Sequence, residues 1–102
     1  MKSARYIVLL YSNAESDIAD TIDYIENHLK VSPNQLLDKI LKCIDILSDN
    51  PFIYPLVKDP FLSSLGYRMI PIDNYLLFYT VIDAEVQIHR SIYGKRNYGL
   101  LF

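Results

Sequence analysis

The residues best suited to chemistry lie at the C-terminal end of the chain, in the stretch IYGKRNYGLLF. Lys95 and Arg96 are adjacent cations between Tyr93 and Tyr98, and the chain ends on Phe102. Cations of this kind pair with phosphate or with the carboxylates of an acidic partner. Paired cations on turns are also common, so this stretch alone does not assign a site.

The strand predicted at 86–93 adds two candidates, His89 and Arg90. Strand alternation places one set of side chains on the face that packs against helices: Val86, Ile88, Arg90 and Ile92. The other set lies on an open polar face: Gln87, His89, Ser91 and Tyr93. Such a face, leading into two cations, is a candidate phosphate-binding surface. The simpler interpretations are a solvated His89 and an Arg90 that forms an internal ion pair or extends to solvent.

Other catalytic patterns are missing from the sequence. We find no metal-ligand spacing, no phosphate-binding glycine loop and no supported Ser-His-Asp arrangement, so we expect no metal and no cofactor. Cys43 is the single cysteine, which excludes an intramolecular disulfide and fits a reducing compartment. No nearby sequence suggests an activated thiolate, so we expect Cys43 to be an inert residue of a helix. The apolar run from Tyr6 to Tyr11 is too short for a signal peptide or a membrane span, which predicts a cytoplasmic protein with no membrane partner.

Length and composition predict one globular domain over residues 1–102. The hydrophobic fraction is 51% and the charged fraction 22%. The net charge is −2, but residues 13–26 carry only acids and residues 86–102 only bases. The basic C-terminal side suits an acidic protein or a nucleic acid, although uneven charge is also ordinary in small domains.

Periodicity predicts the elements that position these candidates. Residues 5–11 are apolar and rich in β-formers, which indicates a well-buried strand. Apolar residues at helical spacing predict an amphipathic helix over 14–30, begun by a capping box of Ser12 and Glu15.

A second helix is predicted over 33–48, begun by a Ser32 cap and joined to the first helix by a tight hairpin. Residues 50–66 contain three prolines and predict an irregular loop. Three strands then form an antiparallel meander with a two-residue turn and a longer one: 67–72, 75–82 and 86–93. The fold class is therefore α+β, with the first strand added to the sheet and the helical hairpin on one face.

In this order, the elements resemble the RelE/ParE superfamily, the growth-arresting toxins of bacterial type II toxin–antitoxin modules. The resemblance covers nearly the whole chain. It rests on the hairpin NYLLFYTVID and on two further motifs: Tyr67-Arg68, and Arg90 followed by Gly94-Lys95-Arg96. It implies the RelE/ParE-like fold and a cognate antitoxin that wraps the toxin, with operator DNA reached only through the antitoxin complex.

The RelE-like branch of this superfamily resembles an endoribonuclease that cuts messenger RNA on the ribosome. In that case the resemblance implies catalytic roles for Arg68 and Arg96, with Tyr98 or Phe102 as the C-terminal aromatic. Cleavage needs a base for the 2′-hydroxyl, cations for the phosphate and an acid for the leaving oxygen.

This chain departs from that branch at two positions. Leu76 stands where the branch has an arginine, and Ile70 falls near a lysine position. Arg68 holds its proton too tightly to act as a base, which leaves His89 or Tyr93 as substitutes. Whether the protein is an enzyme is therefore open at this point.

The ParE-like branch has a similar fold and inhibits DNA gyrase by binding it. The ParE-like interpretation agrees better than the RelE-like one with Leu76, with the helical hairpin and with an acidic chain, and we favour it. A third hypothesis is a degenerate toxin that only pairs with its antitoxin and regulates transcription. The predicted target- or antitoxin-binding residues come from the last strand and the tail: His89, Arg90, Tyr93, Lys95, Arg96 and Phe102.

Overall fold

The computed structural model describes residues 6–94, whose four strands form one sheet in the order β1-β4-β3-β2. The elements in chain order are β1 (Ile7–Leu10), α1 (Ser12–Asn27), α2 (Asn34–Asp49), α3 (Pro60–Ser64), β2 (Arg68–Ile72), β3 (Tyr75–Ile82) and β4 (Glu85–Tyr93). β2, β3 and β4 form an antiparallel meander, and β1 joins β4 in parallel. The predicted α+β architecture is confirmed.

β1 is an edge strand, which corrects the prediction that it is well buried. Ile7 is 65% and Leu9 40% exposed, whereas Val8 and Leu10 pack on the core. β1 pairs with β4 alone in the described sheet, and alternation sends Ile7 and Leu9 to the face without α1 and α2. An unbroken apolar run therefore does not distinguish a central strand from an edge strand with one uncovered face.

The main core lies between the sheet and the two long helices. α1 packs on β4, whereas α2 contacts β1 and β2. The buried residues of the main core come from both helices and three strands: Ala14, Ile25, Leu36, Ile40, Cys43, Leu47, Ile70, Ile72, Leu77, Tyr79, Val86 and Ile88. Burial raises the pKa of the Cys43 thiol, which agrees with the prediction of an inert cysteine.

The helix starts differ from the predicted capping boxes. Tyr11 is the N-cap of α1, and its N–H donates to the Ile88 carbonyl, so the chain passes from β1 directly into the helix. α2 begins at Asn34, and the Ser32 hydroxyl accepts only from the Asn34 N–H at 3.2 Å. Residues 28–33 separate the two helices, a longer connection than the predicted tight hairpin.

The segment predicted as an irregular loop contains α3. Asp59 caps this helix by accepting from the backbone N–H groups of Phe61 and Leu62 at 2.9 and 3.0 Å, and Pro60 occupies a first-turn position. The pair Asp59-Pro60 is typical of a helix start. The prediction of an irregular loop missed it because the prolines were interpreted only as helix breakers. Gly66 follows with φ of 86°, a left-handed conformation that turns the chain toward β2.

A minor core lies on the opposite face of the sheet, under the segment that carries α3. It is formed by Val57, Leu62, Phe78 and Ile92, all of which are buried. The predicted strand faces placed Ile92 beside Val86 and Ile88, and this is wrong because the strand contains a β-bulge.

The bulge lies in β4 at His89. Tyr79 pairs with Ile88 but Phe78 pairs with Arg90, so His89 is an extra residue without a direct partner on β3. One extra residue shifts the following side chains to the other face, because side-chain direction alternates with a period of two.

The two hairpin turns are both short. Asp73-Asn74 forms the predicted two-residue turn, with Asp73 at φ of 53°. Ile82 pairs with Glu85, so the second turn is Asp83-Ala84 rather than the longer one predicted.

The first helix is joined to the last strand by Asp17. Its carboxylate accepts from Arg90 Nε at 2.7 Å, from Arg90 Nη2 at 3.0 Å and from the Ser91 backbone N–H at 2.9 Å. The side chains of Asp17 and Arg90 are only 16% and 21% exposed. The hydrogen bonds and charge of Asp17 raise the pKa of the Arg90 guanidinium. The prediction of an internal ion pair for Arg90 is confirmed.

Replacing Asp17 by Asn should lower the free energy of unfolding by about 1–3 kcal/mol, because the largely buried Arg90 guanidinium loses the negative charge of Asp17. Urea denaturation followed by circular dichroism measures this change. Asp23→Asn is the matched control, since Asp23 lies on the same helix and its hydrogen bond to Asn27 is exposed. Equal losses of unfolding free energy in the two variants would show that Asp17 contributes no more to stability than an exposed acid on the same helix.

Replacing Tyr79 by Phe should lower the free energy of unfolding by about 1–3 kcal/mol. The Tyr79 hydroxyl is buried and donates to the Pro51 carbonyl at 2.6 Å, and burial raises its pKa to about 12. The variant leaves that carbonyl without its donor in the core. Tyr24→Phe is the control because Tyr24 is 45% exposed, and a loss as large in this control would contradict the assignment.

Candidate functional site

His89 lies at the centre of an aromatic and polar cluster on the sheet face opposite α1 and α2. Its ring is 5.0 Å from the Tyr11 ring and 5.2 Å from the Tyr67 ring, measured between centroids. His89 Nε2 is 2.9 Å from Thr80 Oγ1. We call these four residues the His89 cluster. They come from β3, β4 and the two segments that flank the sheet, so the folded chain brings together residues far apart in sequence.

A chain of polar contacts leads from the His89 cluster to a carboxylate. Thr80 Oγ1 lies 3.4 Å from Gln87 Oε1, and Gln87 Nε2 donates to Glu85 at 2.8 Å. Tyr11 donates to the same Glu85 oxygen at 3.2 Å. When Thr80 donates to Gln87, its oxygen accepts from His89 Nε2, so His89 is coupled to Glu85 through two side chains.

Burial lowers the pKa of His89. Its imidazole is therefore neutral at physiological pH and has one nitrogen that can accept a proton. A neutral imidazole on a partly exposed face has the properties of a general base at that pH.

Exposed apolar side chains border the His89 cluster. Ile7 and Ile82 both pair with Glu85, and Leu9 pairs with Gln87, which places the three on the same face as the cluster. Ile82 is 52% exposed, and Ile7 and Leu9 are also exposed. We call these three residues and the His89 cluster the open face.

Arg68, predicted as a catalytic cation, lies on the other side of the sheet. It pairs with Tyr79, whose side chain is in the main core. Arg68 Nη1 donates to the Tyr54 carbonyl at 2.6 Å, and the guanidinium carbon lies 5.2 Å from the centroid of the Phe52 ring. Its immediate neighbour Tyr67 contacts His89, so the dipeptide Tyr67-Arg68 supplies the two faces with one residue each.

The remaining predicted site residues do not gather around His89. Arg90 is held by Asp17. Tyr93 lies at the end of β4, with its ring 5.9 Å from that of Tyr75. Four predicted residues fall outside the described part of the chain: Lys95, Arg96, Tyr98 and Phe102.

Sequence reasoning missed most members of the His89 cluster. Tyr11 and Tyr67 reach His89 only because β1 pairs in parallel with β4 and because the segment before β2 folds onto the sheet. No local pattern signals either event. Thr80, a buried polar residue among apolar neighbours in β3, was a signal that could have been used.

Tyr93 and Tyr75 also line a cavity of about 500 Å³ beside α1. Its other lining residues are Asp20, Thr21 and Tyr24.

Within residues 6–94, no group of three or more His, Cys, Asp or Glu side chains could hold a metal ion. No helix in that range is long and apolar enough to cross a membrane.

Comparison with solved structures finds similar folds, among them chains from two toxin–antitoxin systems. The chromosomal ParDE toxin–antitoxin system from P. aeruginosa matches with a TM-score of 0.67 at 17% identity, over 89% of this chain and 98% of that chain. The E. coli DinJ–YafQ toxin–antitoxin complex matches with a TM-score of 0.56 at 15% identity, over 96% of this chain and 98% of that chain. Comparison with curated proteins gives no match.

The family comparison covers most of the chain. Residues 8–98 match the family described as the ParE toxin of the type II toxin–antitoxin system parDE. This range contains all the described strands but the first residue of β1, and it contains the whole His89 cluster. The predicted resemblance to RelE/ParE toxins is confirmed, and the chain belongs to the ParE toxin family of type II toxin–antitoxin systems.

Proposed function

We propose that this toxin arrests bacterial growth by binding DNA gyrase through its open face, and that its cognate antitoxin neutralises it by covering the same face. Membership of the ParE toxin family supports this choice of mechanism. The two similar structures are described as parts of toxin–antitoxin systems, which supports an antitoxin partner.

The observation that carries the proposal is the character of the open face. Ile7, Leu9 and Ile82 expose apolar surface around an aromatic cluster, and the Glu85 carboxylate lies beside that cluster. Apolar and aromatic surface favours binding to a protein. RNA binding instead depends on positive charge that neutralises phosphates.

The two arginines in the described range are held away from this face. Arg68 binds the Tyr54 carbonyl on the helix side, and Arg90 forms a bidentate pair with Asp17. A ribonuclease needs a cation next to its base to stabilise the phosphate. Among the described residues, His89 is a candidate base. Neither described arginine lies beside it on the open face.

His89 is the observation that favours the alternative, a RelE-like ribosome-dependent mRNA endonuclease. Its neutral imidazole lies between Tyr11 and Tyr67 and is coupled toward Glu85. In that mechanism Arg96 and Tyr98 would complete the site, as the resemblance implies. The binding roles of Arg90, Tyr93, Lys95 and Phe102 stay predictions under either mechanism.

Inducing this chain alone in a bacterium should reduce thymidine incorporation before leucine incorporation. Gyrase inhibition stops DNA synthesis first, whereas mRNA cleavage stops translation first. Pulse labelling with both precursors separates the two mechanisms, and a supercoiling assay with purified gyrase tests the target directly. An early loss of leucine incorporation supports the nuclease, and no loss of either with folded protein present supports a toxin that only binds its antitoxin.

Replacing Leu9 by Glu should weaken antitoxin and gyrase binding by at least about tenfold, because it buries a charge in an apolar interface. Leu41→Glu is the matched control, since Leu41 is 62% exposed on α2. Affinities measured by calorimetry, with circular dichroism to check folding, give the comparison. Similar losses in both variants would contradict an interface centred on the open face.

His89→Gln separates binding from catalysis. Glutamine keeps a hydrogen-bonding group near Thr80 but does not titrate, so a nuclease should lose activity by about 10²-fold or more. A toxin that acts by binding gyrase should keep supercoiling inhibition within about tenfold. Complete loss of growth arrest with antitoxin binding intact would support the nuclease.

The lowered pKa of His89 predicts a loss of stability in mild acid. The unfolded chain takes up a proton near the ordinary value of 6.5, and the folded chain only at lower pH. Above pH 6.5 the imidazole is neutral in both states, and the free energy of unfolding is unaffected by its titration. As the pH falls from 6.5 toward the lowered pKa, the unfolded chain binds the proton and the folded chain does not, so the free energy of unfolding declines. Urea denaturation at several pH values should show this decline in the native protein and a smaller one in His89→Gln. Parallel curves would contradict a partly buried, neutral His89.

A further inference from the structure

The cavity beside α1 has no role in the proposed function, although it is the larger of two adjoining cavities in the described part of the chain. It measures about 500 Å³ and is lined by Asp20, Thr21, Tyr24, Tyr75 and Tyr93. A cavity of about 150 Å³ adjoins it and shares four of these residues, all but Tyr24. We call Tyr24, Tyr75, Tyr93 and Asp20 the tyrosine cage.

The three rings of the tyrosine cage are held by different contacts. The Tyr75 and Tyr93 rings meet edge to face at 5.9 Å with an interplanar angle of 73°. Tyr24 stacks on His28 at 5.3 Å, and Tyr75 lines the cavity together with Thr21. Tyr24 is 45% and Tyr93 39% exposed, so the cage is open to a ligand from outside.

The charge of the tyrosine cage is negative. Asp20 is exposed, and no ion pair joins it to another residue in the range 6–94. Arg90 lines the adjoining cavity, but its guanidinium is balanced by the bidentate contact with Asp17. The sequence of α1 adds further acids and no base, so the potential at the cage attracts a cation.

We propose that the tyrosine cage binds an arginine side chain of the antitoxin, an inference that rests on the antitoxin partner proposed above. Aromatic rings around a carboxylate attract cations through the ring quadrupoles and the charge together. The planar guanidinium stacks on tyrosine faces and donates two parallel hydrogen bonds to a carboxylate, which the compact, strongly hydrated ammonium of lysine does less well.

Two other kinds of occupant fit this cage less well. An anionic group would be repelled by Asp20. An aliphatic side chain would bury the tyrosine hydroxyls and the carboxylate without hydrogen-bonding partners, which is unfavourable.

The first test uses the full chain and a small probe, so it needs neither gyrase nor antitoxin. Titration with N-acetyl-arginine amide should shift the aromatic NMR signals of Tyr24 and Tyr93, with saturation at millimolar concentrations. N-acetyl-citrulline amide is the matched control, since its urea group has nearly the same shape but no charge. Equal shifts with both compounds, or shifts spread over the surface, would overturn the cage.

Two variants test the residues of the cage. Asp20→Asn and Tyr24→Leu should each weaken probe binding by about twofold to fivefold, in line with a partly exposed cation–π contact. Glu26→Gln should leave it unchanged, because Glu26 is an exposed acid on α1 outside the cavity lining.

The same variants measured against the antitoxin separate this inference from the partner proposal. A loss of antitoxin affinity of about twofold to fivefold in both cage variants, with the Glu26 control unchanged, supports the cage. Unchanged affinity with intact antitoxin binding overturns the cage but leaves the partner proposal standing. An antitoxin that does not bind the native toxin overturns both.

The chain's own cations are the competing occupants. The sequence continues from Tyr93 and Gly94 into Lys95 and Arg96. A double variant with Lys95→Gln and Arg96→Gln should bind the arginine probe as the native protein does. Markedly tighter binding by this variant would show that the toxin's own tail fills the cage, and it would overturn the proposal.

Discussion

The contact made by the Asp17 carboxylate is the constraint on which the arrangement of the last strand depends. One side chain near the start of the chain satisfies both the Arg90 guanidinium and the Ser91 backbone N–H. β1 ends at Leu10, so within residues 6–94 the edge of β4 beyond Ile88 has no neighbouring strand. A half-buried N–H needs a partner, and α1 supplies one because it begins directly after β1.

The bulge at His89 works together with this contact. It places Arg90 and Ser91 beside α1 and sends Ile92 into the minor core rather than the main core. β4 therefore belongs to the main core in its first half and to the minor core in its second half. The bulged His89 lies between the two, with the Tyr67 ring against its own ring. Of the open face, Tyr67 packs on the minor core, and its other residues belong to neither core.

This division of the sheet also separates the groups that the two toxin mechanisms need. Arg68 holds the segment after α2 through the Tyr54 carbonyl and the Phe52 ring, so its charge serves the fold on the helix side. His89 is neutral on the opposite face, next to exposed apolar residues. A surface of this composition suits contact with another protein, which is the form of action that the ParE-like hypothesis requires.

The sequence by itself determined the order and type of the elements, because these depend on local patterns. The apolar stripe of α2, the Asp73-Asn74 turn and the alternation in the last three strands predicted an α+β fold, and Asp59-Pro60 is a local signal for the start of α3. Only the tertiary structure decided which side chains meet. The parallel pairing of β1 with β4 and the bulge at His89 depend on contacts between distant segments, so no local period encodes the His89 cluster or the Asp17 contact.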